Sequence, residues 1–128
     1  DGAVVESLQS EDPDIALGID NLIHLAEAFA IYREKIVRNL CMSGVTLLDP
    51  TSVYIEPHVK IAADTVIYPF TSITGKTEIG KNCHIGPHVR ITDSQLGDNI
   101  KVEFTVIENR RLDSGQQLGP FACLTHID

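Results

Sequence analysis

From Ile55 to Leu124 an aliphatic residue returns at every sixth position, with a few steps of five. The series runs Ile55, Ile61, Ile67, Ile73, Ile79, Ile85 and Ile91, then Leu96, Val102, Ile107, Leu112, Leu118 and Leu124. A period of six is neither the two of a strand nor the 3.6 of a helix. It predicts a hexapeptide solenoid, in which three six-residue flats close one triangular coil and the aliphatics stack inside. These residues, worth roughly 1.5–3 kcal/mol each when buried, are the main stabilising term. Four positions past the aliphatic lie Val59, Thr65, Thr71, Thr77, Cys83, Val89, Ile100 and Ala122. All are small or branched, and they are expected to point inward where a narrow prism accepts limited volume. Gly80, Gly86, Gly97 and Gly119 directly follow the aliphatic and predict sharp corners there. The five-residue steps, Ile91 to Leu96 and Val102 through Ile107 to Leu112, should shorten a flat and change the corner. The pattern amounts to about four coils, or about 19 Å of height at ~4.8 Å per coil.

Upstream the period changes. Leu22, Leu25, Phe29, Tyr32, Ile36 and Leu40 fall at steps of three and four, one apolar helical stripe. Asp20 or Asn21 can cap its start, Gly44 suits a left-handed residue just past its end, and Glu34 with Arg38 forms a favourable outer pair. A helix of about 22 residues spans roughly 33 Å, and its stripe is expected to pack on the first coils. Asp49 and Pro50 then stop regular structure. Residues Asp1 to Asp20 hold six acidic residues and no basic one. Their short apolar runs, AVV and IALGI, read as strands without partners, which are not stable alone. The expected division is 1–20, a remnant of the end of another domain; 21–44, a linking helix; and 45–128, the solenoid. The absent initiator Met and an uncapped last coil at Asp128 both predict a segment of something longer.

Composition narrows the classes. Hydrophobic residues make up 43 % with no Trp and 5 % aromatics, which suits a core of Ile, Val and Leu. A net charge of −8 argues against nucleic acid or anionic membrane as the main partner, since both need a basic footprint. No apolar run approaches the ~18 residues of a membrane span, and no signal peptide is visible. Cys41, Cys83 and Cys123 are odd in number and lack metal-like spacing, as free thiols in a reducing cytoplasm would.

Specific chemistry is sparse. His84 and His88 lie four apart, and His126 could approach from another coil or subunit. Three histidines shared between subunits hold zinc in some hexapeptide solenoids, the γ-type carbonic anhydrases, so a zinc site is an alternative. Against it, the two residues sit on successive flats around a corner, with no carboxylate pattern behind them, and exposed histidines are the favoured reading. Arg110 and Arg111 are neighbours pointing apart, a solvated corner in preference to an anion site. No Ser-His-Asp, Cys-His or paired-carboxylate set can be assembled.

The motifs GID at Gly18 to Asp20, LAEA within the helix, SGVTLLDP at Ser43 to Pro50 and DTVIYP at Asp64 to Pro69 follow one another in a distinctive order. ITDSQLGDN at Ile91 to Asn99 and LGPFACL at Leu118 to Leu124 continue it. Together they resemble the middle of the bifunctional N-acetylglucosamine-1-phosphate uridyltransferase / glucosamine-1-phosphate acetyltransferase family. The resemblance implies a left-handed parallel β-helix that forms a homotrimer, here preceded by one long helix. It implies Mg²⁺ and acetyl-CoA for the full-length enzyme. The nucleotide-binding domain and the later coils, with their acetyl-CoA groove and catalytic histidine, fall outside this match. In the family an Asn of a Gly-Val-Asn motif helps hold magnesium, and the matching residue is Asp20, a carboxylate that keeps ligation feasible. Its family partner, an Asp, belongs to the nucleotide-binding domain, and the plainer reading of Asp20 is a helix cap. Arginines are typical of the family where this chain has Cys123 and Thr125, and one of them contacts the sugar phosphate; Thr cannot replace a bidentate guanidinium. Three functions stand open: the linking and trimerising segment of this enzyme, inactive alone; a non-catalytic trimeric scaffold; or a small hexapeptide acyltransferase or zinc enzyme.

Overall fold

The computed structural model describes residues 13–125. The chain divides into two compact units, Asp1–Lys35 and Ile36–Asp128. A single helix, α1 (Pro13–Met42), runs for 30 residues. It starts well before the expected cap at Asp20, because Pro13 brings a fixed helical φ to a first turn that needs no amide donor. Asp20 is therefore an exposed residue inside the helix and not its cap. The IALGI run, expected as a strand, is helical; the AVV run lies outside the described residues.

The far end of α1 follows its sequence signal. Gly44 takes φ +96°, the Val45 amide reaches the Leu40 carbonyl at 3.0 Å, and the Gly44 amide reaches Cys41 at 3.2 Å. That pair of bonds is a Schellman ending, and its hydrophobic contact is present as buried Leu40 and Val45. Of the expected stripe, Leu40 is buried and Ile36 packs against the solenoid core, whereas Leu25, Phe29 and Tyr32 are exposed. Within the second unit the last members of the stripe, Ile36 and Leu40, lie with the solenoid core as expected.

The solenoid is built of short strands, three to a turn. The first turn holds β1 (Thr46–Leu47), β2 (Tyr54–Ile55) and β3 (Lys60–Ile61), and the second β4 (Val66–Ile67), β5 (Thr71–Thr74) and β6 (Glu78–Ile79). The third holds β7 (His84–Ile85), β8 (Val89–Thr92) and β9 (Gln95–Leu96), and the fourth β10 (Lys101–Val102), β11 (Thr105–Glu108) and β12 (Arg111–Leu112). A fifth, begun by β13 (Gln117–Leu118) and β14 (Ala122–Leu124), brings the count to nearly five turns against the expected four. Leu47 opens the extra turn; it lies eight residues before Ile55, outside the six-residue step, because the Pro50–Ser52 turn interrupts that flat. Strands stack in parallel into three sheets, β1-β4-β7-β10-β13, β2-β5-β8-β11-β14 and β3-β6-β9-β12. The expected parallel β-helix with one preceding helix is the fold observed.

Inside, every aliphatic from Ile55 to Leu112 is buried, and Leu118 and Leu124 are half-buried against the same core. The second inward column is as expected from Val59 to Ile100, while Ala122 is half-buried. In the five-residue steps the left-handed residue comes two past the aliphatic (Asp93, Phe104, Asn109). The inward residue then comes at three, which places buried Ser94 and Thr105 in the column. Buried hydroxyls are paid for locally: Thr65 Oγ1 donates to the Gly80 carbonyl at 2.7 Å and accepts from the Cys83 amide at 3.1 Å. Thr77 and Thr105 donate to Thr74 and Glu103 carbonyls, each at 2.7 Å. Among the described residues no buried side-chain polar atom lacks a partner.

The corner glycines are corrected in part. Gly86 and Gly119 have positive φ, but the left-handed corners are mostly Asp, Asn, Phe or His. Gly80 owes its identity to close approach: a Cβ there would strike the Asp98 carboxylate and the Gly97 carbonyl of the next coil. Ile85→Ala, a cavity at a fully buried position, is expected to cost about 2–5 kcal/mol in chemical denaturation. Thr65→Val, which strands the Cys83 amide, should cost about 1–3 kcal/mol despite matched shape.

Candidate functional site

Chemistry-bearing side chains sit on the outer faces of the sheets and at the corners, since both inward columns are filled. On the outside of β4, β7 and β10, the Tyr68 hydroxyl meets His84 Nδ1 at 3.1 Å. The pair borders a groove of about 380 Å³ lined also by Gly86, Lys101, Glu103 and Gln117. Lys101 and Glu103 make no ion pair among the described residues. A phenol, an imidazole, an ammonium and a carboxylate thus share one shallow surface.

His88 goes elsewhere. Its ring lies between Phe70 at 5.1 Å and Phe104 at 5.0 Å, and Phe121 follows Phe104 at 5.5 Å. His84 and His88 therefore do not converge, and no metal-holding group of three His, Cys, Asp or Glu exists among the described residues; His126 lies outside them. The four-ring column was not anticipated, because attention to every sixth residue hides a repeat of one residue per coil. The spacing Phe70, His88, Phe104, Phe121, about one coil apart each time, was the available signal.

The two positions of the expected phosphate contact are on or just past β14. Cys123 faces outward beside Val106 and is exposed. Thr125 is half-buried, and its carbonyl accepts from Arg110 Nη1 at 3.3 Å. Arg110 is consequently not the solvated corner residue expected: its amide also donates to Ser94 Oγ at 3.1 Å. Arg111 is exposed on β12, so the two guanidinium groups do not combine. Asp20 stands exposed on α1.

Comparison with known proteins agrees with this geometry. Residues 58–93 match the family described as bacterial transferase hexapeptide (six repeats). Bifunctional protein GlmU of Synechococcus elongatus is 41 % identical over 120 residues, 94 % of this chain and 26 % of the relative. GlmU of Carboxydothermus hydrogenoformans is 42 % identical over 124 residues, 96 % of the chain and 28 % of the relative. The chain is homologous to one stretch of bifunctional protein GlmU. The motif-based resemblance is thereby borne out. The match spans about a quarter of the length of these GlmU proteins.

Burial raises the Cys83 thiol above its ordinary value near 9.0, with hydrogen bonds at Ile100 and Thr65 opposing the shift. The folded thiol then stays protonated while the unfolded one ionises, so this group withdraws stability as pH climbs past about 9. Under native conditions at pH 8, alkylation should modify exposed Cys41 and Cys123 quickly. Cys83 should react only on unfolding, as intact-mass spectrometry would read it.

Proposed function

We propose that this chain is the linking helix and trimerising solenoid of an enzyme that makes UDP-N-acetylglucosamine. That enzyme acetylates glucosamine-1-phosphate and then transfers uridyl from UTP; the chain by itself catalyses neither step. The observation that carries the reading is the match to bifunctional GlmU along nearly all of this chain. The solenoid interior supports it: among the described residues both inward columns are filled by aliphatic and small or branched side chains.

Asp20 supplies one ligand of a magnesium ion whose other ligands come from the nucleotide-binding domain and the substrate. A lone exposed carboxylate on a helix suits that part, since Mg²⁺ is usually held by one or two carboxylates plus phosphates and waters. Acetyl-CoA is assigned to none of these residues. A cytoplasmic location accords with three unpaired cysteines, and no described helix is long and apolar enough to cross a membrane. One observation favours a scaffold as the second reading: Cys123 and Thr125 present no guanidinium clamp, and Arg110 is spent on a backbone carbonyl.

Purified chain incubated with glucosamine-1-phosphate and acetyl-CoA, or with UTP and N-acetylglucosamine-1-phosphate plus Mg²⁺, is expected to give product at the rate of the protein-free blank. Turnover in either assay that survives repurification would overturn the proposal. Magnesium titrated alone into the chain should give no saturable heat, and Asp20→Asn should leave that trace unchanged.

A further inference from the structure

The groove over β4, β7 and β10 has no part in the reading above, and its shape follows from the register of the sheet. Two outward columns run up this face. One reads Val66, His84, Lys101 and Gln117, which strand pairing sets side by side. The other comes two residues later, at Tyr68, Gly86 and Glu103, whose amides donate to the Ile85, Val102 and Leu118 carbonyls of the next coil. Gly86 therefore leaves a gap in its column between the Tyr68 phenol and the Glu103 carboxylate. The gap is fixed by packing, since a Cβ on Gly86 would strike Thr71 Oγ1 and crowd the Tyr68 Cβ. The resulting notch measures about 380 Å³, with Pro87 and Leu118 among its apolar walls.

Lys101 and Glu103 are exposed, opposite in sign and two residues apart on one flat, roughly 6.6 Å between Cα atoms. Among the described residues neither makes an ion pair, with the other or with a neighbour. An ammonium and a carboxylate thus flank one notch with their charges held apart. His84 adds a third group. With the Tyr68 O–H donating to Nδ1 at 3.1 Å, the imidazole carries its proton on Nε2, a donor for an anion. Lys101 and His84 are register partners, so the two groups that favour an anion are adjacent. Glu103 disfavours a dianion such as a phosphate ester, because like charges brought together in one site repel. A molecule with one carboxylate and one ammonium, separated by a short apolar chain, satisfies every group. A smaller groove of about 250 Å³ over β9 and β12 also carries a cation and a carboxylate, Arg111 and Asp113, but no imidazole or aromatic ring lines it.

We propose that the notch at Gly86 binds a small ω-amino acid, its carboxylate at Lys101 and His84 and its ammonium at Glu103. The methylene chain lies against Tyr68 and Pro87. A few placed polar groups around an apolar wall are the general form of a small-molecule site. Every group belongs to one chain and none performs chemistry, so this site stands apart from the trimeric and catalytic readings.

In the test, isotope-labelled full chain is titrated with γ-aminobutyrate and followed by amide NMR. Butyrate and butylamine, which keep the chain and one charge each, are titrated separately. The expected result is saturable shifts at His84, Gly86, Lys101 and Glu103 with γ-aminobutyrate. Either single-charge analogue should bind about tenfold more weakly, the worth of one hydrogen bond to a charged group. Lys101→Gln and Glu103→Gln should each weaken γ-aminobutyrate by a similar factor, and Lys60→Gln, on another face, should leave it unchanged. The exchange Lys101→Glu/Glu103→Lys should bind better than either single variant, because the ligand can turn end for end. An absence of saturable shifts with γ-aminobutyrate overturns the site. Butyrate binding equally well, as at a plain anion site, overturns it too, and so does an exchange variant no better than the single ones.

Discussion

The narrowness of the prism governs this protein. Each flat offers the interior two places, one long enough for Ile or Leu and one that admits only a small or branched residue. The second place is often Thr or Ser, which brings a hydroxyl into an apolar interior at a cost unless it is bonded. The geometry of the corner provides that bond, because carbonyls of the same or the next coil lie within reach, as Gly80 does for Thr65 and Thr74 for Thr77. Thr65, Thr77 and Ser94 in turn accept an amide from the coil above, so these hydroxyls tie two coils together. Core packing and backbone hydrogen bonding are thus one constraint, repeated per turn.

That repetition explains what was legible in the sequence. Every aliphatic of the six-residue series lies inward, since the spacing encodes the stacking directly. Leu47 escaped notice because the Pro50–Ser52 turn breaks the step before the series settles. Ser94 and Thr105 escaped because a five-residue flat moves both the left-handed residue and the inward one forward by a position. The helix start was misplaced for a different reason: Asp20 is a good cap by type, but propensity at one residue yields to Pro13 and the helical run behind it. The resemblance to GlmU was legible because it rests on the irregular features, SGVTLLDP and the shortened flats, and not on the generic repeat.

Candidate chemistry was harder to read. The spacing of His84 and His88 says nothing of which face each will occupy, and a corner between them sends one ring to Tyr68 and the other into a column of phenylalanines. Side chains one coil apart, far in sequence, are the true neighbours on this surface. A solenoid with its interior committed to structure leaves function to its outer faces, and those faces can be completed by other copies or other domains.

The account's central claim is that this stretch links and assembles and does not itself catalyse. Solution mass by light scattering on a sizing column, with zinc measured on the same peak, addresses it most directly. The account predicts a metal-free trimer. A monomer at high concentration, or a trimer carrying stoichiometric zinc, would contradict it.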